Sequence, residues 1–174
     1  MVSHKIFTAS IFMLTVTIYW HYTTSKTHIK EVLLPETLFS VSSAVAMAGW
    51  LLLVLGIVLD KPLLRDTIAG LWIPLILAAA YTVFIAVFWW DAEGSFDSLA
   101  EVQKLFTWPW VALAGWVHYL AYDLFIGALM ARRLMEAKRS RLLLILILPM
   151  AFMFGPIGFV MAQFLLIARK EATA

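Results

Sequence analysis

The chain has 174 residues, of which 63% are hydrophobic and 14% charged, with a mean hydropathy of +0.91. A soluble domain is about half apolar and about a quarter charged, so the excess apolar surface here must face lipid. No cysteine is present, which excludes thiolate metal sites, c-type haem attachment, disulfides and a cysteine nucleophile. The net charge of +2 is spread among loops and gives no footprint for nucleic acid.

In chain order, the first apolar segment is Ile6–Tyr22, short, preceded by Lys5 and containing several Thr. It reads as a retained helix. A signal peptide is the competing reading, though no clear small-x-small cleavage site follows in Thr23–Lys30. Four longer segments follow: Leu38–Leu59, Thr67–Trp90, Trp108–Met130 and Leu142–Ala168. Each reaches the ~20 apolar residues that a ~30 Å hydrocarbon core requires. The expected organisation is all-α. Residues 1–33 form an N-terminal helix or signal-like segment with its connector. Residues 34–174 form a four-helix transmembrane domain.

Loop charges set the expected orientation. If Ile6–Tyr22 spans, one side carries Lys5, Lys61, Arg65, Arg132, Arg133, Lys138, Arg139 and Arg141. The other carries Lys26, Lys30, Lys104, Arg169 and Lys170, together with the acidic loop Asp91–Lys104. The positive-inside rule places the first set in the cytoplasm, and lipid headgroups explain the Arg132–Arg141 cluster.

Prolines mark special places. Pro109 falls in the first turn of the third segment, where a missing N–H costs nothing. Pro74, Pro149 and Pro156 fall inside segments, and each is expected to kink its helix where neighbours satisfy the freed backbone. Phe154-Gly155-Pro156-Ile157-Gly158 is the densest such point. It reads either as a packing kink or as a kink shaping a ligand cavity.

The third segment is chemically distinct, because it alone carries a charged residue and a histidine. His118 lies about 15 Å into the helix and Asp123 about 7 Å further on. An Asp at helix centre costs about 2.5–3.5 kcal/mol even on gentle insertion scales, and hydrophobic packing does not require one. The five-residue offset separates the two by about 140° around the helix, so a direct hydrogen bond is not expected. Tyr119 and Asp123 share one face, His118 and Tyr122 another. Each residue also has a plain structural reading. His118 could be a buried histidine bonded to a neighbouring helix. Asp123 could be an interhelical clamp to Ser42, Ser43, Tyr81 or Gln163. The Trp and Tyr rings could be core, and Glu36, after Pro35, could complement a helix dipole. Metalloprotease and P-loop signatures are absent, and four histidines in total are too few for a membrane di-iron site. A bis-His haem would need His21 at the depth of His118, which segment geometry disfavours. The remaining inventory suits proton transfer on an apolar ligand, or a proton path.

At these residues the sequence resembles the abscisic-acid-deficient-4-like family, whose plant members are associated with neoxanthin synthesis. The resemblance rests on Pro35-Glu36-Thr37-Leu38-Phe39-Ser40, Trp50, Tyr81, Leu105-Phe106, Gly115-Trp116-Val117-His118-Tyr119-Leu120-Ala121-Tyr122-Asp123-Leu124-Phe125-Ile126-Gly127, and Phe154-Gly155-Pro156-Ile157-Gly158. It covers about residues 34–166. Family members often follow the block's last Gly with Arg-Trp, where this chain has Ala128-Leu129.

The resemblance implies four transmembrane helices and carotenoid metabolism. The plant reaction opens a 5,6-epoxide of violaxanthin with loss of a proton to form an allene. That reaction is redox-neutral and needs an acid and a base. The expected function is therefore acid/base isomerisation of a carotenoid-like lipid by an integral membrane protein of carotenoid or isoprenoid metabolism. Such a protein would resemble neoxanthin synthase, in a plasma or inner membrane if bacterial and a plastid membrane if plant-derived. A non-catalytic carotenoid-binding protein or complex subunit and a proton-coupled transporter are the alternatives. The catalytic candidates are Asp123 and His118, supported by Tyr119, Tyr122 and Glu36. The candidate ligand-binding positions are Trp116, Trp50, Tyr81, Phe154, Gly155, Pro156 and Gln163. No metal or cofactor is expected. The expected partners are the bilayer and an apolar isoprenoid, not nucleic acid; assembly into homo-oligomers stays open.

Overall fold

The structure is a computed structural model that describes residues 34–172. The segment Ile6–Tyr22 lies outside the described residues. Leu38–Ala174 forms one compact unit, and the first turn of the first helix belongs to the other, Met1–Thr37. The described elements are α1 (Leu34–Val58), α2 (Leu63–Asp91), α3 (Leu99–Leu105), α4 (Pro109–Glu136), α5 (Arg141–Met153) and α6 (Gly155–Ala172). No strand occurs among the described residues.

Three helices, α1, α2 and α4, are long and apolar enough to cross a membrane. They correspond to the first three long apolar segments, each somewhat longer than the apolar run itself. The most buried of the three is α4, which packs against α2, α5 and α6. Pro109 starts α4 and its Trp108 cap is extended, as expected of a proline in the first turn. The first part of α2, Leu63–Trp72, is wound as a π-helix, and α-helical winding begins at Ile73 with Pro74 in its first turn. Pro74 thus produces a change of winding. A wider turn is one way to accommodate a residue that cannot donate to the preceding turn.

The fourth apolar segment departs from expectation. It is not one kinked helix but two, of 13 and 18 residues, broken at Phe154. The two arms fold back on each other. A Cβ on Gly158 would lie 2.5 Å from Ala151 Cα, so the arms meet closely next to the break. At their far ends, Arg139 just before α5 donates to the Leu165 carbonyl of α6. An arm of 13 residues is only about 20 Å long. The physical reason for the reversal is local. Phe154 leaves helical geometry at φ −144, ψ 63, Pro156 cannot donate to α5, and Gly155 and Gly158 remove the side chains that would hold the arms apart. Pro149, by contrast, stays inside a continuous α5. The described part of α6 around Leu165 therefore lies toward the basic connections, not away from them as a single crossing would place it.

The hairpin fills one half of the bundle. There, Trp50, Leu53 and Ile57 of α1 pack with Leu124, Ala128 and Leu134 of α4 and with Leu144, Leu148 and Ala162 of the hairpin. In the other half only α1, α2 and α4 meet, around Ala46, Leu77, Leu113 and Val117, with Phe88 stacked on Trp110 at 3.8 Å. The loop beside that second half holds α3, which hydropathy alone did not reveal. Its signal was nonetheless in the sequence: Ser98 three residues before Glu101, whose N–H donates to the Ser98 hydroxyl at 3.2 Å.

Candidate functional site

The site begins with an elementary problem. A helix end leaves up to four carbonyls without partners, and a chain reversal among apolar helices puts them where no water can serve. At the end of α5 the Tyr119 hydroxyl meets this need. It donates to the carbonyls of Phe152, at 3.1 Å, and Met153, at 3.2 Å. Tyr119 stands one helical turn before Asp123 on α4, so the same face brings the Asp123 carboxyl to the tip. There it rests against Gly155, the first residue of α6. A Cβ on Gly155 would lie 2.7 Å from Asp123 Cγ, so only glycine leaves room for the carboxyl.

Asp123 is 8% exposed, and its Oδ2 has no hydrogen-bond partner. Tyr119 lies one turn before it on the same face of α4. The clamp partners considered from the sequence are engaged elsewhere. Ser42 donates to the Phe39 carbonyl, Ser43 accepts from the Trp116 indole at 2.9 Å, and the Tyr81 ring lies beside His118. Gln163 is half-buried, about two turns into α6. Next to the tip, the Trp116 ring packs between Phe39 at 5.1 Å and Tyr119 at 5.4 Å. Phe39, Trp116, Met153 and Phe154 all keep exposed surface, so an aromatic face adjoins the carboxyl. Phe39 was within the block that carried the resemblance but was not singled out; its spacing from Ser43 by one turn was the available signal.

His118 belongs to a different environment. It is exposed and lies between Tyr81 of α2, at 5.4 Å, and Tyr122, at 4.7 Å. Tyr122, 55% exposed, lines a groove of about 230 Å³ between α2 and α4 with Leu71, Pro74, Leu75, Ala121 and Phe125. The angular separation read from the sequence thus corresponds to two separate surroundings. Trp50 is buried, its ring edge-on to Phe152 at 5.5 Å, and Gly127 is the residue that admits its indole. It also lines a second apolar groove of about 250 Å³ between α1 and α5. Pro156 is exposed at the tip beside Phe154. Glu36 sits in the first turn of α1, outside the unit that contains the tip. The tip therefore gathers Asp123, Tyr119, Trp116, Phe154, Gly155 and Pro156. His118, Tyr81 and Tyr122 form a separate group.

Three apolar helices of crossing length, joined to a helical hairpin with a carboxyl at its tip, define a polytopic helical membrane protein. Within that class, the chain belongs to the ABA DEFICIENT 4-like family, whose model matches residues 37–161 and so takes in α1 through most of the hairpin. No match was found among curated proteins or among solved structures.

Proposed function

We propose that the protein acts in carotenoid or related isoprenoid metabolism as an acid/base isomerase. In this reading α5 and α6 dip into the membrane from the basic side and return to it. An apolar substrate lies against the aromatic face of Phe39, Trp116 and Phe154, with its reacting end at Asp123. The observation that carries the reading is the unpartnered Oδ2 of Asp123, held at a hairpin tip among apolar helices. An ionisable group is costly at such a place, and a carboxyl with an unpartnered oxygen next to an exposed aromatic face is suited to exchange a proton with a ligand that reaches the tip.

For an epoxide-opening isomerisation the balance closes on one carboxyl. The acid gives its proton to the epoxide oxygen as the C–O bond breaks. The resulting carboxylate takes the proton lost from carbon as the new double bond forms. Asp123 ends as it began, with no net oxidation. Tyr119, one turn before Asp123 on the same face of α4 and bonded to the end of α5, is the complementary polar group in this reading.

The test is expression of the full chain in a host that makes an epoxy-carotenoid, with chromatography and mass measurement of the pigments. The expected product has the same mass as its precursor and is absent with Asp123→Asn. Unchanged conversion by that variant would refute the assignment.

A second reading, a non-catalytic carotenoid-binding protein, is favoured by the two apolar grooves that flank α2 and α5. Its mark is a purified protein that carries polyene absorption and forms no product.

A further inference from the structure

At the basic end of the bundle, the α1–α2 and α4–α5 connections approach each other around a polar cavity of about 400 Å³. Five cationic side chains line it: Arg65, Arg132, Lys138, Arg139 and Arg141. Only two acidic ones do, Asp60 and Glu136. Orientation in a membrane needs only that basic residues lie on one side; it does not need them to converge on one open pocket.

This cavity is built. Arg65 is buried, and its guanidinium is fixed by two hydrogen bonds to Asp66, at 2.8 and 2.7 Å. Its remaining arm points to Met135 Sδ on the cavity wall. Arg141 is held to Asp60 at 2.8 Å and to the Val58 carbonyl at 3.1 Å, which ties the two connections together. Both connections leave their helices through left-handed backbone, Asp60 at φ 54 and Lys138 at φ 53, a common helix ending in which the next N–H returns to a carbonyl five residues back, Lys61 to Gly56 and Arg139 to Leu134, both at 2.9 Å. Finally, Arg139 Nε is buried and has no hydrogen-bond partner, and Lys138 makes no ion pair among the described residues. Cationic groups converge on one space and outnumber the carboxylates there, and guanidinium groups match the oxygens of a phosphate group.

We propose that this cavity is a phosphate-binding site, filled by the headgroup of an anionic phospholipid or by a soluble phosphate or diphosphate. The cavity lies at the opposite end of the hairpin arms from Asp123, and the proposal does not depend on any isomerase activity.

The test uses the purified full chain in phosphatidylcholine nanodiscs and reads its thermal unfolding. In one arm phosphatidylglycerol is mixed into the disc; in the other, inorganic phosphate or pyrophosphate is titrated into the buffer. The double variant Arg132→Gln/Lys138→Asn removes two cavity charges while leaving the buried Arg65 in place. Arg133→Gln, exposed and not lining the cavity, removes a charge from the same helix end. The expected result is a higher Tm for wild type and Arg133→Gln in at least one arm, with apparent affinity at least about tenfold weaker in the double variant. A response in the phosphatidylglycerol arm alone assigns a lipid headgroup, and one in the phosphate arm assigns a soluble ligand. No response of wild type in either arm overturns the proposal. So does an equal loss in Arg133→Gln, which would mean a diffuse surface charge.

Discussion

Two sides of α4, five residues apart in sequence, hold the only histidine and the only aspartate of that helix. Around Asp123 the protein closes: Gly155 yields its side chain, Tyr119 caps the chain reversal, and Oδ2 is left without a partner. Around His118 it stays open, with two tyrosine rings beside an exposed imidazole. A place on the same helix, little more than one turn apart, therefore does not imply equal surroundings. What separates the two is the hairpin, which encloses one side of α4 and leaves the other to α2 and lipid.

The comparison can be broken by exchanging its two sides. The largest expected effect is on turnover: Asp123→Asn lowers conversion by about 10²–10⁴-fold, the usual contribution of a positioned acid or base. His118→Ala leaves it within about threefold, since residues away from the reacting group contribute little to that term. Pigment chromatography on matched expression levels measures both, and the reverse ranking would move the reacting end to the α2 side. Next is Gly155→Ala, which forces a methyl group into the Asp123 carboxyl and destabilises by about 1–3 kcal/mol. Thermal unfolding in detergent reads this, and a combined Gly155→Ala/Asp123→Ala chain should recover part of the loss because the two groups compete for the same space.

Smaller is Tyr119→Phe. It removes the cap on the Phe152 and Met153 carbonyls and costs about 1–3 kcal/mol for acceptors left without a donor, seen as faster hydrogen exchange confined to the end of α5. The smallest effect is expected far from both sides. The bond to Glu93 raises Lys104 above the ordinary lysine range, at a fully exposed pair. A raised folded-state value stabilises below the ordinary lysine pKa and is lost as pH rises through the raised one. Water screens it, so Glu93→Gln should leave Tm unchanged at neutral pH and alter only the alkaline edge of the unfolding profile.

Much of this arrangement was legible in the sequence. The three long helices follow from apolar length, and the separation of His118 from Asp123 follows from helical angle alone. The reversal at Phe154 was not legible. Hydropathy counts apolar residues and gives the same sum for a chain that crosses and a chain that turns back. The Phe-Gly-Pro-Ile-Gly run was visible as a break, but whether it kinks or reverses depends on Tyr119 and Gly158, which lie on other turns and other elements. The pairing of Tyr119 with Asp123 was legible as a shared face. That the face receives the hairpin tip was not, because nothing local in α4 specifies its partner. Arg65 was read only as a loop charge, since its contact with Met135 joins residues 70 apart.

The reversal also bears on how the chain is made. A single crossing after α4 would oblige the cell to carry Arg169 and Lys170 through the hydrocarbon layer. A hairpin that returns to the side it left asks for no such passage. From Arg141 onward the polypeptide can enter as a folded wedge once α1, α2 and α4 are already in place. In that order of events the piece that covers Asp123 arrives after the helix that carries it.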